Sequence, residues 1–302
     1  MSEDFDAIAR AFLDQLGGRA HFAGAKNGRV KQVLSLVNNT RPNPEQLFVM
    51  EGLWAHQLAL SRGIRFHALF CSPERLHSPE TRSMVQGLVE QGVDTYVLSE
   101  KLFLRLSERE NPDGLLSICQ LPRFSLAELE AKKTRMLVVL DGIEIPGNIG
   151  TILRSCDGAG AQGVLVVNRR ARLTHPKILK GSQGALFSVP VVECAQEEAA
   201  QWLLQNKFEL LLTDTDAPKT YHELRPHGPI AIIAGSERYG ISPEWYALPH
   251  TAASIPMRGD CDSLNVAVST SIVLYYVAQA LFNPSNPRKS HQNRREHREM
   301  PG

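Results

Sequence analysis

Nothing in the 302 residues approaches the ~20 consecutive apolar positions that a helix needs to cross a bilayer. The N-terminus, MSEDFDAIARAFLDQL, has neither the basic start nor the apolar stretch of a secretory signal; it is acidic and amphipathic instead. No Cys-x-x-Cys pair occurs, and none of Cys71, Cys119, Cys156, Cys194 and Cys261 stands at zinc-ligand spacing from a histidine. No metal site is therefore expected, and buried free thiols in a reducing, cytoplasmic setting are the reading. Charge imbalance is missing too: the formal net charge is +1, so any hold on nucleic acid must come from local clustering. Phosphate-loop signatures are absent. No GxxxxGK followed by Ser or Thr is found, GNIG (147–150) is not GxGxxG, and Asn168-Arg169-Arg170 stand where a ribose-reading acid would be. These absences count against a nucleotide-dependent α/β enzyme.

What is present is alternation. Short β-rich runs (47–52, 66–72, 95–99, 114–121) are separated by helical stretches, among them one from Pro79 to Gln91. A polar helical connector is expected over FSLAELEAKK (124–133). A second series follows at 136–142, 163–167, 208–214, 230–235 and 253–257, ending in a long apolar helix from Leu264 to Phe282. Strand–helix alternation predicts an α/β fold with parallel sheet and helices on both faces, and the break near 122–135 predicts two domains. The segment 283–302 holds five Lys/Arg, two Glu and three Pro with almost no apolar residue, so it is expected to be a disordered basic tail.

Polar loops follow the strands of the second series: DGIEIPGNIG, TDTDAPKT, GSERYG and MRGDCDSLN. Ligands gather at the carboxyl ends of strands in open α/β sheets, so four polar loops there mark a candidate site. In PGNIGTILR (146–154), Ile149, Ile152, Leu153 and Cys156 make one apolar stripe, with Gly150, Thr151 and Arg154 opposite. Asn148 then sits where an N-cap belongs, and Arg154 points to solvent or to a ligand. Spacing alone leaves both choices open. Asp262 or Ser263 can cap the last helix, and Asn265 in its first turn needs a partner if that helix is buried.

Taken together, Asn148 with Arg154, GSERYGIS (235–242) and IPMRGDCDSLNVAVSTSI (255–272) resemble the SpoU (TrmH-type) RNA ribose 2′-O-methyltransferases of the SPOUT superfamily. KGSQGALFSVPV (180–191) is similar to the family's connecting segment. VKQVLSL, Arg41 and FVMEG resemble its small ribosomal-protein-like RNA-binding domain, in a layout similar to the thiostrepton-resistance enzymes. The implied order is an N-terminal extension (1–29), an RNA-binding α/β domain (30–122), a linker (123–133), a SPOUT methyltransferase domain (134–282) and the tail.

The resemblance also implies a deep C-terminal trefoil knot, which periodicity does not reveal and which few folds contain. It implies a homodimer, and S-adenosylmethionine as cofactor, held around Thr213, Gly235, Ile255, Ser263, Leu264 and Asn265. Asn148, Arg154, Glu237, Ser263 and Asn265 are the implied catalytic set, and Arg41, Arg154, Lys180 and Arg238 the implied RNA contacts. Gly235 is expected to let the cofactor approach the backbone closely. Ribosomal RNA is the favoured substrate; transfer RNA, or an RNA-binding dimer without catalysis, are the alternatives.

Overall fold

The computed structural model describes residues 3–38, 41–129 and 134–282; the expected basic tail and residues 130–133 of the connector lie outside the described residues. The chain divides into two compact units. One gathers the chain up to Phe124 with Glu144–Arg154 and Arg169–Val191; the other holds Ser125–Ile143, Ser155–Asn168 and the chain from Val192 onward.

The first unit is built on strands β1 (Ala20–Phe22), β2 (Leu47–Glu51), β3 (Arg65–Cys71), β4 (Thr95–Val97) and β5 (Leu115–Gln120), in the order β1-β4-β3-β5-β2. Helices α1 (Glu3–Gln15), α2 (Gly28–Val37), α3 (Leu53–Ser61), α4 (Pro79–Glu90) and α5 (Glu100–Leu106) alternate with them. The sheet is mixed rather than parallel throughout: β5 runs antiparallel to both β2 and β3, while β4 is parallel to β1 and β3. Alternation alone does not reveal strand direction. Two apolar clusters form the core, one around Leu69, Leu88 and Val97, the other around Phe70, Phe103 and Ile118.

The second unit carries β6 (Met136–Asp141), β7 (Gly163–Val167), β8 (Val191–Glu193), β9 (Glu209–Thr213), β10 (Ile230–Gly235) and β11 (Thr251–Ala253), ordered β11-β9-β10-β6-β7-β8. The pairings β11–β9–β10–β6–β7 are all parallel, and β6, β7 and β10 are buried along their whole lengths, as a sheet covered on both faces requires. The helices are α6 (Pro146–Ala159), α7 (Pro176–Ser182), α8 (Gln196–Gln205), α9 (Pro243–Tyr246) and α10 (Val266–Leu281); α6 runs from one unit into the other, and α7 belongs to the first.

Three expectations need correction. The connector forms a single 3-10 turn, Leu126–Glu128, closed by a Ser125/Glu128 capping box, in place of a helix through 129. The last strand ends at Ala253, not at Met257. Ser254 exchanges hydrogen bonds with Lys219 and Tyr221 of the preceding loop, and Pro256 has no N–H for a ladder. Helix α6 begins at Pro146, whose missing N–H costs nothing at a helix start, so Asn148 lies inside the first turn and is not the cap. Among the described residues no helix is long and apolar enough to cross a membrane, and no group of three or more His, Cys, Asp or Glu is placed to hold a metal ion.

The thiols of Cys71, Cys119 and Cys156 are buried and free, and burial raises that of Cys71 to about 12. Cys194 is half-buried and Cys261 is exposed.

One buried polar group makes the first unit pH-sensitive. His56 of α3 is fully buried, with Nδ1 2.8 Å from the Gly52 carbonyl oxygen and Nε2 2.8 Å from Ser117 Oγ on β5. Burial disfavours the imidazolium and lowers its pKa to about 4. Above the unfolded value near 6.5 the ring is neutral in both states and contributes nothing. As pH falls from about 6.5 to 4, the unfolded chain takes up a proton that the folded one refuses, removing about 3 kcal/mol of stability in all. Chemical denaturation across that window should show this decline, and His56→Gln should flatten it; an unchanged slope in the variant would exclude His56 as its source.

Candidate cofactor pocket and nucleic-acid interface

Within the second unit, the carboxyl ends of β6, β7 and β10 are tied by one buried carboxylate. Asp141 is the last residue of β6 and is 2% exposed. Its Oδ1 accepts from Asn168 Nδ2 at 2.7 Å; its Oδ2 accepts from the Ser242 amide at 2.7 Å and from the Ser242 hydroxyl at shorter range. Asn168, just past β7 with φ of 50°, also donates to Gln196 Oε1 at 2.8 Å. Asparagine is among the side chains that tolerate that left-handed backbone. Three loops that carry the candidate residues are thereby locked to one another. Motif reasoning passed over Asp141, Asn168, Gln196 and Ser242; an acid that ends an otherwise apolar strand was the available signal.

Gly235 ends β10, and its need for glycine is internal. A side chain there would collide with the backbone of Gly240 and Ile241, where the loop doubles back through the Ser236–Gly240 bridge. The chain itself approaches Gly235 closely. On that loop Glu237 and Arg238 are exposed, and the Arg238 guanidinium lies 5.2 Å from the centre of the Tyr239 ring.

Beyond β9 and β11 the second unit encloses a cavity of about 290 Å³. It is lined by four of the residues singled out from sequence: Thr213, Ile255, Ser263 and Leu264. Gly235 and Asn265 are not among its lining residues. Thr213 spends its hydroxyl on the Ile233 carbonyl oxygen (2.9 Å), so the strand end presents backbone to the cavity. Asn265 proves to be the N-cap of α10, replacing the expected Asp262 or Ser263: its Oδ1 accepts from the Ala267 amide at 2.9 Å. The lining includes Asp214 and Asp262 and contains no lysine, arginine or histidine, so the cavity favours a cationic guest. Tyr246 donates its hydroxyl to Asp214 Oδ2 at 2.6 Å and holds that carboxylate at the rim; burial and Asp214 together raise the phenol's pKa.

The other candidates lie in the first unit. Asn148 is buried in the first turn of α6, whereas Arg154 is exposed two turns on. The stripe Ile149, Ile152, Leu153 and Cys156 is buried as expected. Gly150 is not on the solvent side: a Cβ there would come within 2.7 Å of the Ile178 carbonyl oxygen and 3.0 Å of Gly181 Cα. The second glycine of PGNIG therefore lets α6 and α7 touch through their backbones. Arg41 and Lys180 are exposed. The Arg41 carbonyl accepts from Arg172 Nη1 at 2.6 Å, and Asn43 Nδ2 donates to Thr174 Oγ1 at 3.2 Å, so the loop before β2 is fastened to the loop before α7.

Known proteins resemble this chain over most of its length. A family model described as the SpoU rRNA Methylase family matches residues 135–275, and one described as an MRM3-like substrate binding domain matches residues 27–117. The 23S rRNA (guanosine(2553)-2′-O)-methyltransferase RlmP of Bacillus subtilis (strain 168) is 29% identical over 254 residues, covering 84% of this chain and 97% of that protein. The 23S rRNA (adenosine(1067)-2′-O)-methyltransferase of Streptomyces azureus is 26% identical, covering 84% and 93%. Among solved structures, one titled RNA 2′-O ribose methyltransferase is 30% identical, with a TM-score of 0.72 over 86% of this chain and 98% of its own. The SpoU methyltransferase AviRb of Streptomyces viridochromogenes, in complex with the cofactor AdoMet, is 25% identical with a TM-score of 0.73, covering 84% and 98%.

Asp141→Ala should strand the Asn168 and Ser242 donors and cost about 3 kcal/mol in chemical denaturation. A loss below about 1 kcal/mol would show that the three loops do not depend on this carboxylate.

Proposed function

The chain belongs to the SpoU rRNA methylase family, and we propose on that premise that it methylates a ribose 2′-hydroxyl in ribosomal RNA with S-adenosylmethionine as donor. The observation that carries the reading is the second-unit cavity, whose lining fits this donor. Asp214 and Asp262 suit the sulfonium and ammonium charges. Ile255 and Leu264 offer apolar flanks for the adenine, and the backbone after Thr213 offers polar edges. When bound, the donor supplies an electrophilic methyl group on a good leaving group, so alignment and relief of the hydroxyl proton are what remain for the protein.

Arg154 is assigned the hydroxyl. A guanidinium stays protonated at working pH and cannot act as a base. It lowers the hydroxyl's pKa, stabilises the developing alkoxide, and grips a neighbouring phosphate with its fork, while the proton leaves to water. Asn148, Ser263 and Asn265 position ribose and donor, and Glu237 orients the loop that carries it. Arg41, Lys180 and Arg238 take phosphates. In this reading the segment 30–122 holds RNA and 134–282 performs the transfer.

The same proposal includes the trefoil knot, a cytoplasmic location and a homodimer. Support for the dimer comes from Val268 and Tyr275, two turns apart on one side of α10 and 47% and 51% exposed. Apolar side chains on one side of so hydrophobic a helix suit a partner helix.

Arg154→Ala should lower methyl transfer to unmodified large-subunit rRNA by about 10²- to 10³-fold while calorimetry finds donor affinity unchanged. Arg154→Lys should fail comparably, and near-normal turnover in either variant would remove Arg154 from the reaction. The double variant Val268→Asp/Tyr275→Glu should run as a monomer in light scattering; an unchanged mass would move the interface elsewhere.

A further inference from the structure

The first unit contains a second cavity, of about 260 Å³, that the methyl-transfer chemistry does not use. Its floor is apolar, with Met50, Leu106 and Phe187 among the lining, and the Phe187 ring lies 5.6 Å from that of Phe48. At its mouth stands Trp54 on α3, an indole left 55% exposed. Glycine is required on the far side. Gly184 has φ of 84°, and a Cβ on it would meet Trp54 Cη2 at 3.4 Å and run into Leu58.

The polar part of the lining is held in place. Ser107 Oγ and the Glu108 amide both donate to the Glu51 carboxylate, and the Arg109 amide donates to Ser107 Oγ at 3.0 Å. The Arg109 guanidinium is packed against Gly52, where φ is 91° and any side chain would displace it. Burial raises the Glu51 pKa, against the opposing pull of these donors and of Arg109. A fixed acceptor and a fixed cationic donor thus face a cavity with one aromatic wall.

The lining itself is charge-balanced, Glu51 and Glu108 against Arg109 and Lys180, and the excess of positive charge lies on other loops of the same unit. Lys180 lines this cavity, and the same unit carries Arg41, Arg169, Arg170, Arg172 and Lys177 on the two loops that Arg172 and Asn43 fasten together and at the start of α7. Basic loops beside an aromatic-walled pocket suit single-stranded nucleic acid, whose phosphates follow the charges while an unstacked base finds a π-face. We propose that this pocket receives one unstacked base of the RNA substrate, stacked on Trp54, with the adjoining phosphates held by Lys180 and the Arg41–Arg172 loops. The inference rests on the reading that the chain acts on RNA, and adds a further place where that RNA is gripped.

Binding of unmodified large-subunit rRNA transcript, measured across a range of salt concentrations, tests it. Trp54→Ala should weaken binding about tenfold with no change in salt slope, because it removes stacking and no phosphate contact. Trp54→Phe should restore most of the affinity, and Lys180→Gln should reduce the slope by about one ion. Affinity for S-adenosylmethionine should be the same in all three variants. Wild-type affinity in Trp54→Ala would overturn the pocket while leaving the methyltransferase reading intact. No RNA binding by the wild-type protein would overturn both. Loss of dimer mass in Trp54→Ala, with RNA affinity unchanged, would make the pocket a protein contact and likewise overturn the proposal.

Discussion

A carboxylate in the interior must be hydrogen-bonded through both oxygens, and Asp141 meets that demand by drawing in groups far apart in sequence. Its donors come from Asn168 and Ser242, beyond β7 and β10, so the carboxyl edge of the second sheet is closed by one residue's solvation requirement. Each parallel strand there emits a loop in the same direction, and without a cross-tie these loops would be the least ordered parts of the fold. The GSERYGIS motif ends at Ser242, one of the residues held in this way, and PGNIGTILR follows the strand that Asp141 ends. The cavity between β9, β11 and the start of α10 gains from the same economy: Thr213 and Ser254 each spend a side-chain oxygen on the backbone, leaving a preformed wall.

The glycines make a related point. Gly150 and Gly235 both stand in stretches that look made for a phosphate or a cofactor. In the fold, Gly150 admits the backbone of α7, and Gly235 admits its own loop at Gly240 and Ile241. Close backbone approach is what glycine permits, and the approaching group here is protein.

The two cavities differ in charge. That of the second unit is lined by carboxylates and apolar side chains, and favours a compact cation. That of the first unit sets an exposed indole among Glu51, Glu108, Arg109 and Lys180, on a unit that also carries arginine-rich loops.

Much of the fold was legible as pattern. The buried strands β6, β7 and β10 and the apolar stripe of α6 follow from local periodicity, because burial on two faces or on one stripe leaves its mark residue by residue. The motif resemblance led to Thr213, Ile255, Ser263 and Leu264, which the fold gathers around one cavity. Strand direction in the first sheet, the early end of β11, the capping role of Asn265 and the Asp141 tie were decided only in three dimensions. Each depends on which distant backbone or side chain meets a given group, and hydrophobic spacing does not encode that meeting. Trp54 is the sharpest case: at helical spacing it reads as one more apolar residue, and only the folded chain leaves its ring uncovered beside Arg109 and Lys180.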